Sequence, residues 1–151
     1  MRCRRCGLED KKEKAVEIFR SGFNCSQGVF TAFASENGLD EETALMLSTP
    51  FGGGVGGCGE TCGAVSGAYM VIGLKHGRCS LEDTEAKEKV YALMAEFRKK
   101  FTDRFGTLRC SELVGVNMAD HEERSKAREE GKLERCKEFV GYAAVILEDM
   151  I

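Results

Sequence analysis

Apolar residues recur along the chain at the three-to-four spacing of amphipathic helices, with few interruptions. A first helix is predicted over 8–20, with Ala15, Val16, Ile18 and Phe19 on its apolar side and Gly22 as its stop. Asn24 then reads as the N-cap of a second helix, with Gln27 at the capping-box position. That helix carries Val29, Phe30 and Phe33 and runs to Asn37-Gly38. Asp40 caps a third helix over 41–48, bearing Leu45 and Leu47, and Pro50 closes it.

The pattern then breaks. Residues 51–59 read Phe-Gly-Gly-Gly-Val-Gly-Gly-Cys-Gly, a run with no intrinsic preference for helix or strand, so its path must be imposed by its surroundings. A helix is predicted over 60–76, ended by Gly77. Gly59, Gly63 and Gly67 recur every four residues there and would form one bare helix face, open to a neighbouring backbone or a cofactor. The longest helix, over 83–105, has Val90, Leu93, Met94, Phe97 and Phe101 as its apolar stripe. A short turn at Cys110-Ser-Glu-Leu113, a charged helix over 120–130 and a final helix over 134–150 complete the chain. Phe139, Val140, Ala143, Ala144 and Leu147 form the apolar side of the last. No convincing strand, repeat or linker is present. The expected fold is all-α: one domain over 1–151, a bundle of six to eight helices with a glycine-rich loop, and residues 1–7 as a cysteine-containing N-terminal tail.

Composition narrows the function. The 151 residues carry a net charge of −3 without a basic block, a poor basis for nucleic-acid binding. The longest apolar stretch is about a dozen residues where a span needs ~20, so no membrane insertion is expected. The charged N-terminus offers no apolar signal region, and a cytoplasmic location follows as the expectation. Eight cysteines make up about 5% of the chain, below the ~8–10% of a disulfide scaffold. A chain of this length can bury a core without staples, so the thiols call for a chemical reason.

Residues 54–59 match the letters GxGxxG, but no strand precedes them and Glu60-Thr61 stand where a phosphate loop needs Lys and Ser/Thr. No nucleotide site is expected. The better reading joins the glycines to the cysteines. Cys62 falls in the first turn of a predicted helix with Cys58 just before it, where free N–H groups and the helix dipole favour thiolate. The two are four residues apart, about one turn. Cys25, Cys110 and Cys136 stand likewise at predicted helix starts, and four such helix ends could converge on one sulfur-rich site. The rest are weaker candidates. Cys3-Arg-Arg-Cys6 lacks the second CxxC of a zinc ribbon, and Gly7 follows it where haem attachment needs His. Cys79 lies in a loop after Arg78. His76 and His121 read as helix-end and solvated residues.

The combined pattern resembles the redox-active family named after its signature C…GCAxxG…C…C. The central motif here is Cys62-Gly63-Ala64-Val65-Ser66-Gly67, flanked by Phe23-Asn-Cys25-Ser-Gln27, Phe51-Gly-Gly-Gly54, Cys110-Ser-Glu-Leu113 and Cys136-Lys-Glu-Phe139. The resemblance covers about residues 15–150. It implies a small redox protein whose active residues are Cys25, Cys62, Cys110 and Cys136. A similar domain in split-Soret cytochromes c brings an iron–sulfur cluster into view, whereas the absence of CxxCH removes haem.

Three readings follow. In the first, the four signature thiols bind a [2Fe–2S] cluster or another soft metal and transfer electrons. In the second, Cys62 is the nucleophile of a thiol–disulfide oxidoreductase, with Cys58 or Cys25 resolving. In the third, the chain is a structural zinc or interaction module. The expected partner is a redox protein of unknown identity, and a homodimer is left open.

Overall fold

The computed structural model describes residues 10–151. Cys3 and Cys6 lie outside them. Eight α-helices occur among the described residues: α1 Lys11–Arg20, α2 Cys25–Ala34, α3 Glu41–Ser48, α4 Gly63–His76, α5 Thr84–Phe105, α6 Cys110–Val114, α7 His121–Glu129 and α8 Cys136–Met150. No strand occurs among them, only an isolated antiparallel bridge between Thr61 and Arg109. The all-α expectation holds.

Local chemistry sets the helix starts. The Asn24 side chain accepts from the Gln27 N–H while the Gln27 side chain accepts from the Asn24 N–H, closing the capping box. Asp10, Asp40, Asp83 and Asp120 cap α1, α3, α5 and α7 by the same kind of bond. Gly106 ends α5 in a left-handed conformation.

Helix α2 is the axis of the bundle. All ten of its residues are buried, because α1, α3, α4 and α8 pack around it. Helix α5 lies against α4 through Tyr69 and Phe97, and against α8 through the aromatic group Phe101, Phe105, Phe139 and Tyr142. Arg104 covers the open side of that group, 4.3 Å from the Tyr142 ring centre.

In α3, Ala44 and Ser48, four residues apart, take the buried side, and Leu47 is 53% exposed. One sequence expectation is corrected. Helix α4 begins at Gly63, not near residue 60, because Thr61 is held in the bridge to Arg109. Gly59 therefore lies in the loop, and the bare face comprises Gly63 and Gly67 alone.

That face is used to bring backbones together. A Cβ at Gly67 would stand 2.9 Å from the Ser26 carbonyl oxygen, and one at Gly63 3.1 Å from the Ser26 nitrogen. Gly73 lies on the same helix with nothing within 4 Å of the corresponding position. Gly67→Ala should therefore lose about 1–3 kcal/mol of stability through the clash with rigid backbone. Gly73→Ala should gain about 0.5–1 kcal/mol from the reduced entropy of the unfolded chain. Urea unfolding of both variants checks this, and equal effects of either sign would refute the close-packing account.

Candidate functional site

Each of the four signature cysteines sits at the N-terminus of a helix. Cys25, Cys110 and Cys136 are the first residues of α2, α6 and α8, and Cys62 is the N-cap of α4. Tertiary packing then joins them. The close approach of α4 to α2 would put a Cβ at Gly63 only 3.0 Å from the Cys25 sulfur. The bridge at Thr61 and Arg109 joins the next pair: the Cys62 N–H donates to the Leu108 carbonyl (2.8 Å) and the Cys110 N–H to the Glu60 carbonyl (2.6 Å). Cys62 is 3% exposed, Cys110 5% and Cys25 9%, whereas Cys136 is half-buried.

The glycine loop wraps this group in an unusual conformation. Gly53, Gly54, Val55, Gly56 and Gly57 have φ of 62, 72, 64, 61 and 77°, five consecutive residues on the left-handed side. Such a conformation costs an L-residue roughly 1–2 kcal/mol, and four of the five positions are glycine. Val55 alone bears that strain. Gly54 also admits Cys110, whose Cβ would stand 2.6 Å from a Cβ there. Gly59 abuts the Ser111 hydroxyl too closely for any side chain, and the Ser111 N–H donates to its carbonyl (3.2 Å).

One residue that sequence reasoning missed holds the loop in place. Arg124 of α7 donates from a single guanidinium nitrogen to the carbonyls of Gly57 and Met118, both at 2.9 Å. A Cβ at Gly57 would meet that nitrogen at 2.6 Å. In a helix reading His-Glu-Glu-Arg-Ser-Lys-Ala-Arg-Glu, nothing marks Arg124 out from its charged neighbours.

Burial governs the electrostatics. The N–H groups of Gly53, Ser26 and Gly63, with its own, face the Cys25 sulfur and favour thiolate, yet burial outweighs them and raises its pKa. Cys62 is pushed well above the ordinary thiol value, first by burial and then by the neighbouring Cys25, Cys110 and Cys136. Cys110 is raised to about 12 by burial and by Cys25. Burial, Cys25 and Cys110 raise Cys136 as well, against a smaller opposing effect of Arg135. The expectation that a helix start makes Cys62 a ready thiolate is thus corrected: desolvation exceeds the dipole, and the resting thiols are neutral.

Cys58 parts from this group. It is exposed, lines a separate cavity with Arg109 and Ser111, and is not among the thiols that act on Cys62. Cys79 is exposed as well. Cys25, Cys110 and Cys136 line a cavity of about 740 Å³ together with Phe19, Phe23, Met118, Arg124, Arg128 and Glu134. Neither histidine lines it. The donor set is four thiols, which in number and softness suits iron–sulfur or zinc. Among the described residues, however, no three Cys, His, Asp or Glu side chains stand at the mutual spacing of a metal site. The donors fit a soft metal in kind, and binding one would require the thiols to turn inward.

The raised thiols have a measurable consequence. A thiol near 9.0 in the unfolded chain and near 12 in the fold leaves the folded state with more bound protons between those values. That contribution to stability is present at neutral pH and is lost as pH rises above 9. Urea unfolding of the reduced, metal-free chain from about pH 8 to about pH 10.5 should show a decline that Cys110→Ser makes shallower. Equal slopes in the two proteins would overturn the assignment.

The chain is similar to known proteins at the level of a family. A family described as "Putative redox-active protein (C_GCAxxG_C_C)" matches residues 23–150. An uncharacterized protein of Archaeoglobus fulgidus is 26% identical over 129 residues, covering 80% of this chain and 85% of that one. No solved structure matches. The matched span includes all four signature cysteines and the glycine loop, and the chain belongs to the C_GCAxxG_C_C family of redox-active proteins.

Proposed function

We propose that this redox-active protein transfers electrons through a Cys-ligated iron–sulfur cluster, of the [2Fe–2S] type, held by Cys25, Cys62, Cys110 and Cys136. The observation that carries the reading is the gathering of these thiols: Cys25, Cys110 and Cys136 line one cavity, and the backbone bonds around Thr61 and Arg109 tie Cys62 to Cys110. Ionising several of them together is unfavourable unless a cation arrives, and a metal supplies that charge. When bound, such a cluster supplies one-electron oxidation and reduction.

The chain's own residues do the rest. The N–H groups facing Cys25 would stabilise negative charge on that sulfur and tune the potential. The bridge at Thr61 and Arg109 would hold Cys62 and Cys110 in register. The bare contact at Gly63 and Gly67 would hold α2 and α4, and with them Cys25 and Cys62, close together. A redox protein is the expected partner, with a cytoplasmic location.

A second reading, thiol–disulfide exchange, is favoured by one observation. Cys25, Cys110 and Cys136 line a cavity, so a disulfide substrate could reach them. Cys62, buried and strongly protonated, would then be a resolving sulfur rather than the first nucleophile.

Metal and sulfide analysis with visible absorption, on protein purified without oxygen, separates the readings. Iron and acid-labile sulfide in equal amounts are expected, with the colour lost in Cys62→Ser. A colourless, metal-free chain with reactive thiols would overturn the cluster and leave exchange. Zinc without colour would make the centre structural.

A further inference from the structure

The cavity beside the thiols is larger than its sulfur chemistry requires. Its volume of about 740 Å³ falls within the ~300–1,000 Å³ usual for small-molecule sites. Besides the thiols, its lining carries Arg124, Arg128 and Glu134 as its charged groups. Two guanidiniums face one carboxylate, a local positive excess in a chain of net charge −3.

The two arginines differ in what they already do. Arg124 is half-buried and holds the glycine loop through the carbonyls of Gly57 and Met118. Arg128 lies four residues on, on the same face of α7. It is exposed, and its guanidinium has no ion pair or hydrogen bond among the described residues. An unpaired guanidinium on a cavity wall, above a fixed one, is suited to a charge-assisted bond with an oxyanion. Phe19 and Phe23 line the same cavity and offer apolar surface to the rest of a ligand.

We propose that this cavity binds a small anionic molecule, its carboxylate or oxyanion group against Arg128 with Arg124 behind it, beside Cys25, Cys110 and Cys136. For its place beside a redox site the inference rests on the four-cysteine site proposed above. For the binding itself it rests on the cavity and the arginines.

Calorimetry under nitrogen on the full chain tests it with three probes. These are thiosulfate, 3-mercaptopropionate and the neutral 3-mercapto-1-propanol. At least one anion should bind saturably at one site per chain, and the alcohol should bind more weakly than the acid. Arg128→Gln should weaken the anion about tenfold, the scale of one charge-assisted bond, while Arg128→Lys stays within about threefold of the parent. Absence of saturable anion binding, equal binding of acid and alcohol, or an unchanged affinity in Arg128→Gln would overturn the proposal. Metal content of the same samples is measured separately, so a failed cluster and a failed anion site give different results.

Discussion

The constraint on which the site depends is the backbone contact between α2 and α4. Gly63 and Gly67 present no side chains, and the Ser26 main chain occupies the space a Cβ would need. Helices separated by an ordinary layer of side chains stand about 8–10 Å apart. A bare face lets them come closer, and the first residue of α2 then lies beside the N-cap of α4. The meeting of Cys25 with Cys62 is a consequence of that contact. The burial of α2 draws on it too: α4 on one side and α1 at Gly28 on another approach its backbone closely, and α3 and α8 cover the rest.

The glycine loop extends the same logic to the remaining thiols. Its left-handed turn is open to glycine at little cost, and its path brings the Gly53 N–H to Cys25 and the Gly54 backbone against Cys110. The turn is held at two places. Asn24, capping α2, lies against Gly52 and donates to the Thr49 carbonyl (3.0 Å), while Arg124 grips Gly57 from α7. Val55 retains its unfavourable φ because the neighbouring backbone bonds, such as Gly56 N–H to Pro50 carbonyl at 2.7 Å, leave it no alternative.

The electrostatic result is a set of neutral thiols, three buried and one half-buried, in which Cys25 opposes ionisation of the other three. Such a set is stable while protonated and responds strongly to anything that removes protons as a group. Metal capture and sulfur–sulfur bond formation both do so, and both tie the redox or metal state of the site to proton release. The lining of the neighbouring cavity by three of the four thiols, with Cys62 absent from it, gives the site an inner and an outer side.

Much of the fold could be read from residues acting on their neighbours in sequence. Asn24 with Gln27, Asp40, Asp83 and Asp120 mark helix starts because a cap bonds within three residues, so no distant partner is needed. Cys25 stands at its helix start by the same short-range chemistry, whereas α4, α6 and α8, which begin at the other three cysteines, have no side-chain cap. What local chemistry could not decide was anything requiring a second element. The inward side of α3 depended on how α2 lay across it, which turned Leu47 outward. The beginning of α4 depended on Arg109, nearly fifty positions away, pairing with Thr61. Arg124 became distinct from its charged neighbours only once Gly57 lay beneath it. The sequence by itself thus determined an all-helical chain with four thiols at helix ends. Only the tertiary structure decided that those ends meet, that Cys58 stays outside, and that burial rather than the helix dipole sets the protonation of the thiols. The physical reason is that desolvation is a property of the packed surroundings, whereas capping and dipoles belong to a single turn of chain.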